Sequence, residues 1–283
     1  MKTALIGYGK MGRLLETRLL EKGHTVLAAV DPFYKGVINP GAHDPGADKK
    51  GPFTSPSGVT VYASLKDALD EGAPGKNLKD VDVVLEFTKP DSAPENLLFL
   101  AEKKIPVVTG TTGWFAWLPE ISRVVDTEGS SMLWSSNFSL GVNIFYRIAE
   151  YAAKLFDPFP EYDVAGMETH HNKKADSPSG TAKTLVDRVI ARMSRKKKAV
   201  YQMLERPPEA DEIHYASVRA GSVPGIHSLL FDSAADTVEI THTARSREGF
   251  AAGAVLAAEW LMAKKRTGVF TVEDVMAELL PWN

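Results

Sequence analysis

The run Gly7-Tyr8-Gly9-Lys10-Met11-Gly12 constrains this chain more than any other feature. It follows the apolar stretch Thr3–Ile6 and opens a segment in which Leu14, Leu15, Arg18 and Leu19 recur at helical spacing up to Gly23. In a strand–turn–helix of this kind each glycine has its own steric task. The first permits the tight turn, the second lets the backbone approach a pyrophosphate, and the third lets helix and strand pack closely. Free N–H groups and the helix dipole then favour an anion at the helix start. Asp31 ends the next apolar run, Val26–Val30, 19 residues after Gly12, where a carboxylate can accept a ribose hydroxyl. A bare glycine turn without a ligand would not require that carboxylate. The spacing therefore predicts a dinucleotide site that includes Gly7 to Gly12 and Asp31. A carboxylate at Asp31 repels a 2′-phosphate, with Lys10 and Lys35 as partial offsets. The expected cofactors are NADH and NADPH, with NADH used at least as well.

Further short apolar runs continue the pattern: Val61–Ala63, Val81–Phe87, Pro106–Thr109 and Met132–Trp134, separated by helical stretches. Continuous apolar strands alternating with helices imply a doubly wound parallel sheet of the Rossmann type. Between them, Gly36–Gly58 holds five glycines and four prolines in 23 residues without any period, and reads as a long surface loop. From Tyr162 the texture changes. Tyr162–Glu168, Ile213–Arg219, Ile226–Phe231 and Thr237–His242 read as longer strands, and the last alternates Val238, Ile240 and His242 with polar residues. This suits a mostly antiparallel or mixed sheet with one covered face. Ala182, Leu185, Val186, Val189, Ile190 and Met193 form the stripe of one amphipathic helix. The basic run Arg195–Lys198 past its end reads as a solvated helix terminus. Two closing helices span roughly Arg247–Lys264 and Thr271–Leu280, the second with a Thr-Val-Glu-Asp capping box. The expected fold class is α/β: a Rossmann-type doubly wound domain, then an α+β domain with a mostly antiparallel or mixed sheet, then two closing helices.

Composition excludes several functions. None of the 283 residues is cysteine, which removes disulfides, thiolate metal sites and a cysteine nucleophile. A net charge of −3 argues against nucleic acid as a partner. The start MKTALIGYG is too short for a signal peptide and no apolar run of membrane length occurs, so the expectation is a cytoplasmic protein without a membrane role.

Two further constellations carry chemistry. Phe87-Thr88, Gly110-Thr111-Thr112 and Ser135-Ser136-Asn137-Phe138 each follow a predicted strand. Ligands of open α/β sheets bind beyond the carboxyl ends of the strands, so these three loops are candidates for the nicotinamide end of the cofactor. The other is His170-His171-Asn-Lys-Lys174-Ala-Asp-Ser-Pro-Ser179-Gly180-Thr181. Its last three residues precede the amphipathic helix, whose positive end faces outward. With Lys174 and the two histidines they form a receptor for one or two carboxylates. Adjacent strand residues point to opposite faces, so His170 and His171 are not expected to share a metal, and no metal is expected. The turn within Arg219–His227 is most simply a connection between strands.

The motifs GYGKMG, FTKP, GTTGW, SSNFSLGVN, ETHHNKKADSPSGTA, RAGSVPGIH and THTARSREGFAAGAV, in this order along nearly the whole chain, resemble the dihydrodipicolinate reductase family of lysine and diaminopimelate biosynthesis. The HHxxKxDxPSGT block is highly specific to it; the glycine motif alone is not. The resemblance implies a Rossmann-type domain over 1–137 and 247–283, to which the C-terminal helices return, and a mixed-sheet substrate-binding and oligomerisation domain over 138–246 that drives tetramer formation. It implies His170 as proton donor or acceptor, Lys174 as a second catalytic cation, His171, Gly180 and Thr181 as holders of substrate carboxylate, and the glycine motif, Asp31 and the strand-end loops as holders of the cofactor. The implied reaction is NAD(P)H-dependent reduction of a small cyclic dicarboxylate, 4-hydroxy-tetrahydrodipicolinate. The chain departs from the family in the length of Gly36–Gly58 and in Pro32 after Asp31, where NADPH users carry a basic residue. The competing readings are another NAD(P)-dependent dehydrogenase and a dinucleotide-binding redox sensor without turnover.

Overall fold

The computed structural model describes residues 1–34, 53–70 and 78–281. The chain divides into two compact units, Met1–Ser139 with Phe250–Asn283, and Leu140–Gly249. The first begins β1 (Lys2–Ile6), α1 (Lys10–Glu21), β2 (Thr25–Val30), β3 (Phe53–Thr54), β4 (Thr60–Tyr62) and α2 (Leu65–Asp70). It continues β5 (Val83–Glu86), α3 (Ala93–Glu102), β6 (Val107–Thr109), α4 (Leu118–Glu128) and β7 (Ser131–Trp134). The second unit holds α5 (Leu140–Phe156), β8 (Asp163–His170), α6 (Gly180–Ile190), β9 (Lys198–Val200), β10 (Glu212–Arg219), β11 (Ile226–Asp232) and β12 (Thr237–Thr243). The chain then passes through α7 (Glu248–Ala263), β13 (Gly268–Thr271) and α8 (Val272–Leu279).

The sheet of the first unit runs β13-β7-β6-β5-β1-β2-β4-β3, parallel throughout except for the β3–β4 pair. Its strands are apolar on both faces because both are covered. Leu5, Ala29, Leu85, Val108 and Leu133 face α1 and α7, while Ala4, Ile6, Val84, Val107 and Met132 face α3 and α4. The strand order reverses between β1 and β5, so the loops after them part and leave a crevice. The residues beyond 246 thus do more than add helices, since β13 extends the sheet beside β7. α8 starts at the expected capping box, in which Thr271 and Asp274 satisfy each other's backbone N–H groups.

The second sheet runs β12-β11-β8-β10-β9 and is evenly mixed, since β11 pairs antiparallel with β12 and β8, while β10 pairs parallel with β8 and β9. The parallel half comes from α6, which crosses over between β8 and the strands that follow. One face is covered, as the alternation of β12 implies. Phe145, Tyr146 and Ala149 of α5 and Leu185, Val186 and Val189 of α6 pack on Val164, Tyr215, Leu229 and Phe231. On the open face Met167 and Val218 are 43% and 41% exposed. Gly166 in β8 leaves room for the Tyr215 ring, because a Cβ there would sit 2.6 Å from Tyr215 and 2.6 Å from the Ser228 carbonyl. Gly166→Ala is expected to cost about 1–3 kcal/mol through overpacking, read as a lower urea midpoint by far-UV circular dichroism. An unchanged midpoint would show that the ring moves freely.

Three sequence expectations change. The stretch between Trp134 and Tyr162, to which the sequence reading assigns no element, holds α5. The basic run Arg195–Lys198 is not a solvated terminus. Lys196 is 3% exposed, pairs with Asp163 at 2.5 Å and donates to the Glu212 carbonyl at 2.8 Å, while Arg195 donates to the carbonyls of Phe159 and Tyr162. A long aliphatic stem lets lysine bury in this way when its ammonium is satisfied. Within Gly36–Gly58, Phe53–Thr54 is a strand and Ser55–Gly58 the turn into β4. The rest of that segment, with Lys35, lies outside the described residues. No helix among the described residues is long and apolar enough to cross a membrane.

Candidate active site

In the first unit the glycine motif folds as its spacing requires. Gly7 has φ +88°, and a Cβ there would lie 2.1 Å from the Phe87 carbonyl. A Cβ at Gly12 would lie 2.2 Å from the Gly7 carbonyl, so the first helical turn can approach only without a side chain. Gly9 is different. It is the N-cap of α1, exposed, with no atom within 4 Å of an added Cβ. Nothing among the described residues requires glycine there. Lys10 is exposed and Met11 half-buried.

Tyr8 turns away from the crevice. It is 1% exposed and its hydroxyl donates to the Glu16 carboxylate, which also accepts from Ser55 at 3.0 Å and Ser57 at 2.6 Å. Burial, and then Glu16, push the phenol up to about 12, so it stays a donor. Its backbone N–H donates to Asp31 Oδ2 at 2.8 Å, and Phe33 N–H donates to Oδ1 at 2.9 Å. Asp31 is thus pinned between the glycine turn and its own strand end.

The strand-end loops are tied together from below. Glu86, the last residue of β5, is fully buried and accepts from Thr109 at 2.5 Å and from Thr88. Burial raises its carboxyl despite these hydroxyls. Thr88 N–H donates to Thr111 Oγ1 at 2.7 Å, and Phe87 fills the space under Gly110, where a Cβ would lie 2.1 Å from the ring. Ser135 is buried and bonds both the N–H and the carbonyl of Asn137 at 3.0 Å. Asn137 Oδ1 accepts from Ser139 N–H at 2.9 Å. Thr112 and Ser136 are exposed. Phe138, 2% exposed with its ring 6.0 Å from Phe87, is a core residue, so only its backbone can meet a ligand. A cleft of about 920 Å³ at these strand ends is lined by Gly7, Gly9, Asp31, Phe87 and Thr88, together with Lys66 of α2. Its size, the open backbone at Gly9 and the pinned carboxylate fit a dinucleotide.

The second unit holds the histidine block. His170 is the last residue of β8 and 8% exposed, while His171 is half-buried. Lys174 pairs with Asp176 at 2.7 Å, which holds the Asp176 carboxyl below the ordinary range. Lys173 is exposed. Ser179 caps α6, accepting from Ala182 N–H at 3.1 Å. Gly180 is exposed and nothing lies within 4 Å of an added Cβ, so its backbone opens outward. The Thr181 carbonyl accepts from the Tyr146 hydroxyl at 3.4 Å.

Beneath the block lies a cluster whose members Glu168, Arg219 and His227 are present in the motifs without a role read from the sequence. Glu168, on the buried face of β8 two residues before His170, is 0% exposed. Its carboxylate accepts from Ser179 N–H at 3.0 Å, the Ser179 hydroxyl, Ser217 at 2.9 Å and Arg219 at 3.1 Å. Burial pushes this carboxyl up, but those donors hold it below the carboxylate range overall. His170 Nδ1 lies 3.4 Å from Glu168 and His227 Nδ1 3.9 Å from it. Burial lowers both imidazoles, His227 to about 4. The ligating atoms of Glu168, His170 and His227 lie within 4.8 Å of one another, a spacing that metal sites also show. Here the carboxylate is already engaged by a guanidinium and three other donors, so the trio reads as an ion-paired cluster. Sheet register brings its members together: Glu168 stands opposite His227 on one side and Ser217 on the other, and His170 opposite Arg219.

Comparison with known proteins agrees with both halves of this architecture. The family model for the N-terminus of dihydrodipicolinate reductase matches residues 1–138, and that for its C-terminus matches 141–276. The chain belongs to the dihydrodipicolinate reductase family. Relatives called 4-hydroxy-tetrahydrodipicolinate reductase are 35% identical in Christiangramia forsetii, over 99% of each chain, and 35% identical in Archaeoglobus fulgidus, over 98% of this chain and 100% of that one. The fold is shared with dipicolinate-bound dihydrodipicolinate reductase from Paenisporosarcina sp. TG-14, with a TM-score of 0.72 at 20% identity over 97% of this chain and 99% of that one. An amine dehydrogenase from Mycobacterium smegmatis shares it more loosely, at 0.58 and 13% identity over 96% and 95%. As in others of the dihydrodipicolinate reductase family, the dinucleotide-binding half implies NAD(P)H.

Proposed function

We propose that the chain catalyses the NAD(P)H-dependent reduction of 4-hydroxy-tetrahydrodipicolinate to tetrahydrodipicolinate, with release of water and NAD(P)⁺. The observation that carries the reading is His170 at the end of β8, with Lys174 and Asp176 close enough to act on its imidazole and the open N-terminus of α6 following in the same loop. A bound nicotinamide supplies the hydride to the unsaturated ring. His170 gives the proton that the ring then needs, which suits a group whose ordinary pKa is near neutral. Lys174, with the N–H groups of Gly180 and Thr181 and the side chain of His171, seats the two carboxylates. Gly7 to Gly12 receive the pyrophosphate, Asp31 the ribose, and the loops Phe87–Thr88, Gly110–Thr112 and Ser135–Phe138 the nicotinamide end.

Asp31 supports NADH at least as well as NADPH, because its carboxylate is held at the strand end by two N–H groups and opposes a second phosphate. The open face of the second sheet, with Met167 and Val218 exposed, supports a homotetramer. A cytoplasmic place fits a biosynthetic enzyme with no nucleic-acid or membrane partner. The test is oxidation of NADH and NADPH at 340 nm with substrate made in situ by a synthase from pyruvate and aspartate semialdehyde. Synthase-dependent turnover with kcat/KM for NADH equal to or above that for NADPH is expected. Folded, NADH-binding protein without turnover would instead indicate a sensor.

A further inference from the structure

Glu168 has a placement that the proposed reaction does not use. It is a fully buried carboxylate on the same strand face as His170, and its other neighbours are donors. Its Oε2 lies 3.4 Å from His170 Nδ1, a buried nitrogen that makes no hydrogen bond, so Glu168 is the anion beside it without being bonded to it. The opposite edge of the same ring faces Gly225, where a Cβ would come within 3.0 Å of Nε2. The imidazole therefore has a carboxylate at one nitrogen and a clearance, kept by glycine, at the other. The same carboxylate accepts from the N–H and hydroxyl of Ser179, the cap of α6.

We infer that Glu168 is a positioning residue for the proton transfer: it holds Nδ1 of His170 in its protonated form, so that Nε2 is the nitrogen that gives the proton, and through Ser179 it ties that imidazole to the carboxylate-binding end of α6. This rests on the reading of His170 as the acid. The groups that face His170 are Glu168 on its own strand, Lys174 and Asp176 in the loop after it, Arg219 of β10 and His227 of β11. Among these Glu168 and Asp176 favour the charged ring, and Asp176 is already paired with Lys174. His227 stays neutral, since burial lowers it and Tyr215 bonds its Nδ1 at 3.2 Å. Glu168 is thus the anion that offsets part of the effect of burial and two cations, which together still hold His170 below its ordinary value. After the proton leaves Nε2, the neutral ring retains Nδ1–H toward Glu168 and takes a new proton from water.

Two measurements test this. In Glu168→Gln the amide can still accept from Ser179 and Arg219, while its NH₂ group can face Nδ1. The neutral ring then carries its proton on Nε2 and charges less readily. Because the charged ring is the acid, kcat/KM falls as pH rises through its pKa, and in the variant that fall is expected at lower pH by about one unit or more. Glu168→Asp, which keeps the charge, is expected to move it less. In ¹⁵N-histidine-labelled wild-type protein, with seven histidines and His170 assigned by its loss in His170→Gln, neutral His170 is expected as the Nδ1–H tautomer. This readout needs no turnover and no folded Glu168 variant; it uses His170→Gln only for assignment. A pH profile unmoved in Glu168→Gln, or a neutral His170 protonated on Nε2 in the wild type, overturns the inference. Undiminished turnover in His170→Gln overturns the underlying assignment of the acid, and is told apart because the tautomer is read separately.

Discussion

Lys174→Ala is expected to lower kcat/KM by roughly 10²-fold or more while leaving NADH affinity and the thermal midpoint near those of the wild type. The structure adds a reason beyond the lost cation. Lys174 is paired with Asp176, whose side chain is 56% exposed. Removing the ammonium frees a carboxylate in the loop proposed to seat a dianion. Loss of attraction and gain of repulsion act in the same direction. Lys174→Ala with Asp176→Asn should therefore recover part of the loss, several-fold over the single variant, since like charges several ångströms apart near a surface interact by a few kcal/mol at most. Stability should change little because Lys174 is only half-buried and its partner Asp176 is exposed, and ion pairs open to solvent contribute about 0–1 kcal/mol. Steady-state kinetics of the three proteins decides the matter. A single variant within a few-fold of wild type would remove Lys174 from the machinery, and a double variant no better than the single would show that Asp176 points its charge elsewhere.

The contrast between Lys174 and Glu168 shows what the sequence can reveal. The block from His170 to Thr181 is contiguous, so it stands out as a candidate site in residue order alone, as do the glycine motif and Asp31. Glu168 and Arg219 are 51 positions apart yet meet at 3.1 Å, because β8 and β10 pair with His170 opposite Arg219. Register is not written in either strand, so the turn after Arg219 looked like a mere connection. A signal did exist. In β8 the buried positions Val164, Gly166, Glu168 and His170 alternate with exposed ones, and two ionisable residues on a buried face need partners. The parallel sheet was legible because burial on both faces leaves unbroken apolar runs. In α5, Val142, Phe145, Tyr146, Ala149, Ala152 and Ala153 repeat at helical spacing, and that pattern was available to periodicity. Tyr8 and Phe138 mislead for the opposite reason: membership of a binding motif says nothing of which way a side chain turns, and both are spent on the core.

Gly7 and Gly9 stand two residues apart in one motif, and their alanine variants should fail in different ways. At Gly7 a side chain meets both a left-handed backbone, φ +88°, and the Phe87 carbonyl at 2.1 Å. Strain of about 1–3 kcal/mol and overpacking of about 1–3 kcal/mol together predict that Gly7→Ala loses roughly 2–6 kcal/mol of stability. All five tryptophans belong to the unit that holds Gly7, so their fluorescence follows its unfolding. The urea midpoint by tryptophan emission should fall sharply. At Gly9 the added methyl meets no atom of the described residues within 4 Å and the backbone is unstrained, φ −80°, so the cost is the weaker N-cap, about 1 kcal/mol. What the methyl does enter is the space where a pyrophosphate would lie against the helix end. Gly9→Ala should therefore keep most of its stability and bind NADH at least tenfold more weakly, measured by titrating nucleotide fluorescence. Equal NADH affinity in Gly9→Ala would mean that the phosphates do not approach this backbone. A Gly7→Ala variant as stable as the wild type would mean that the end of β5 yields to the new side chain.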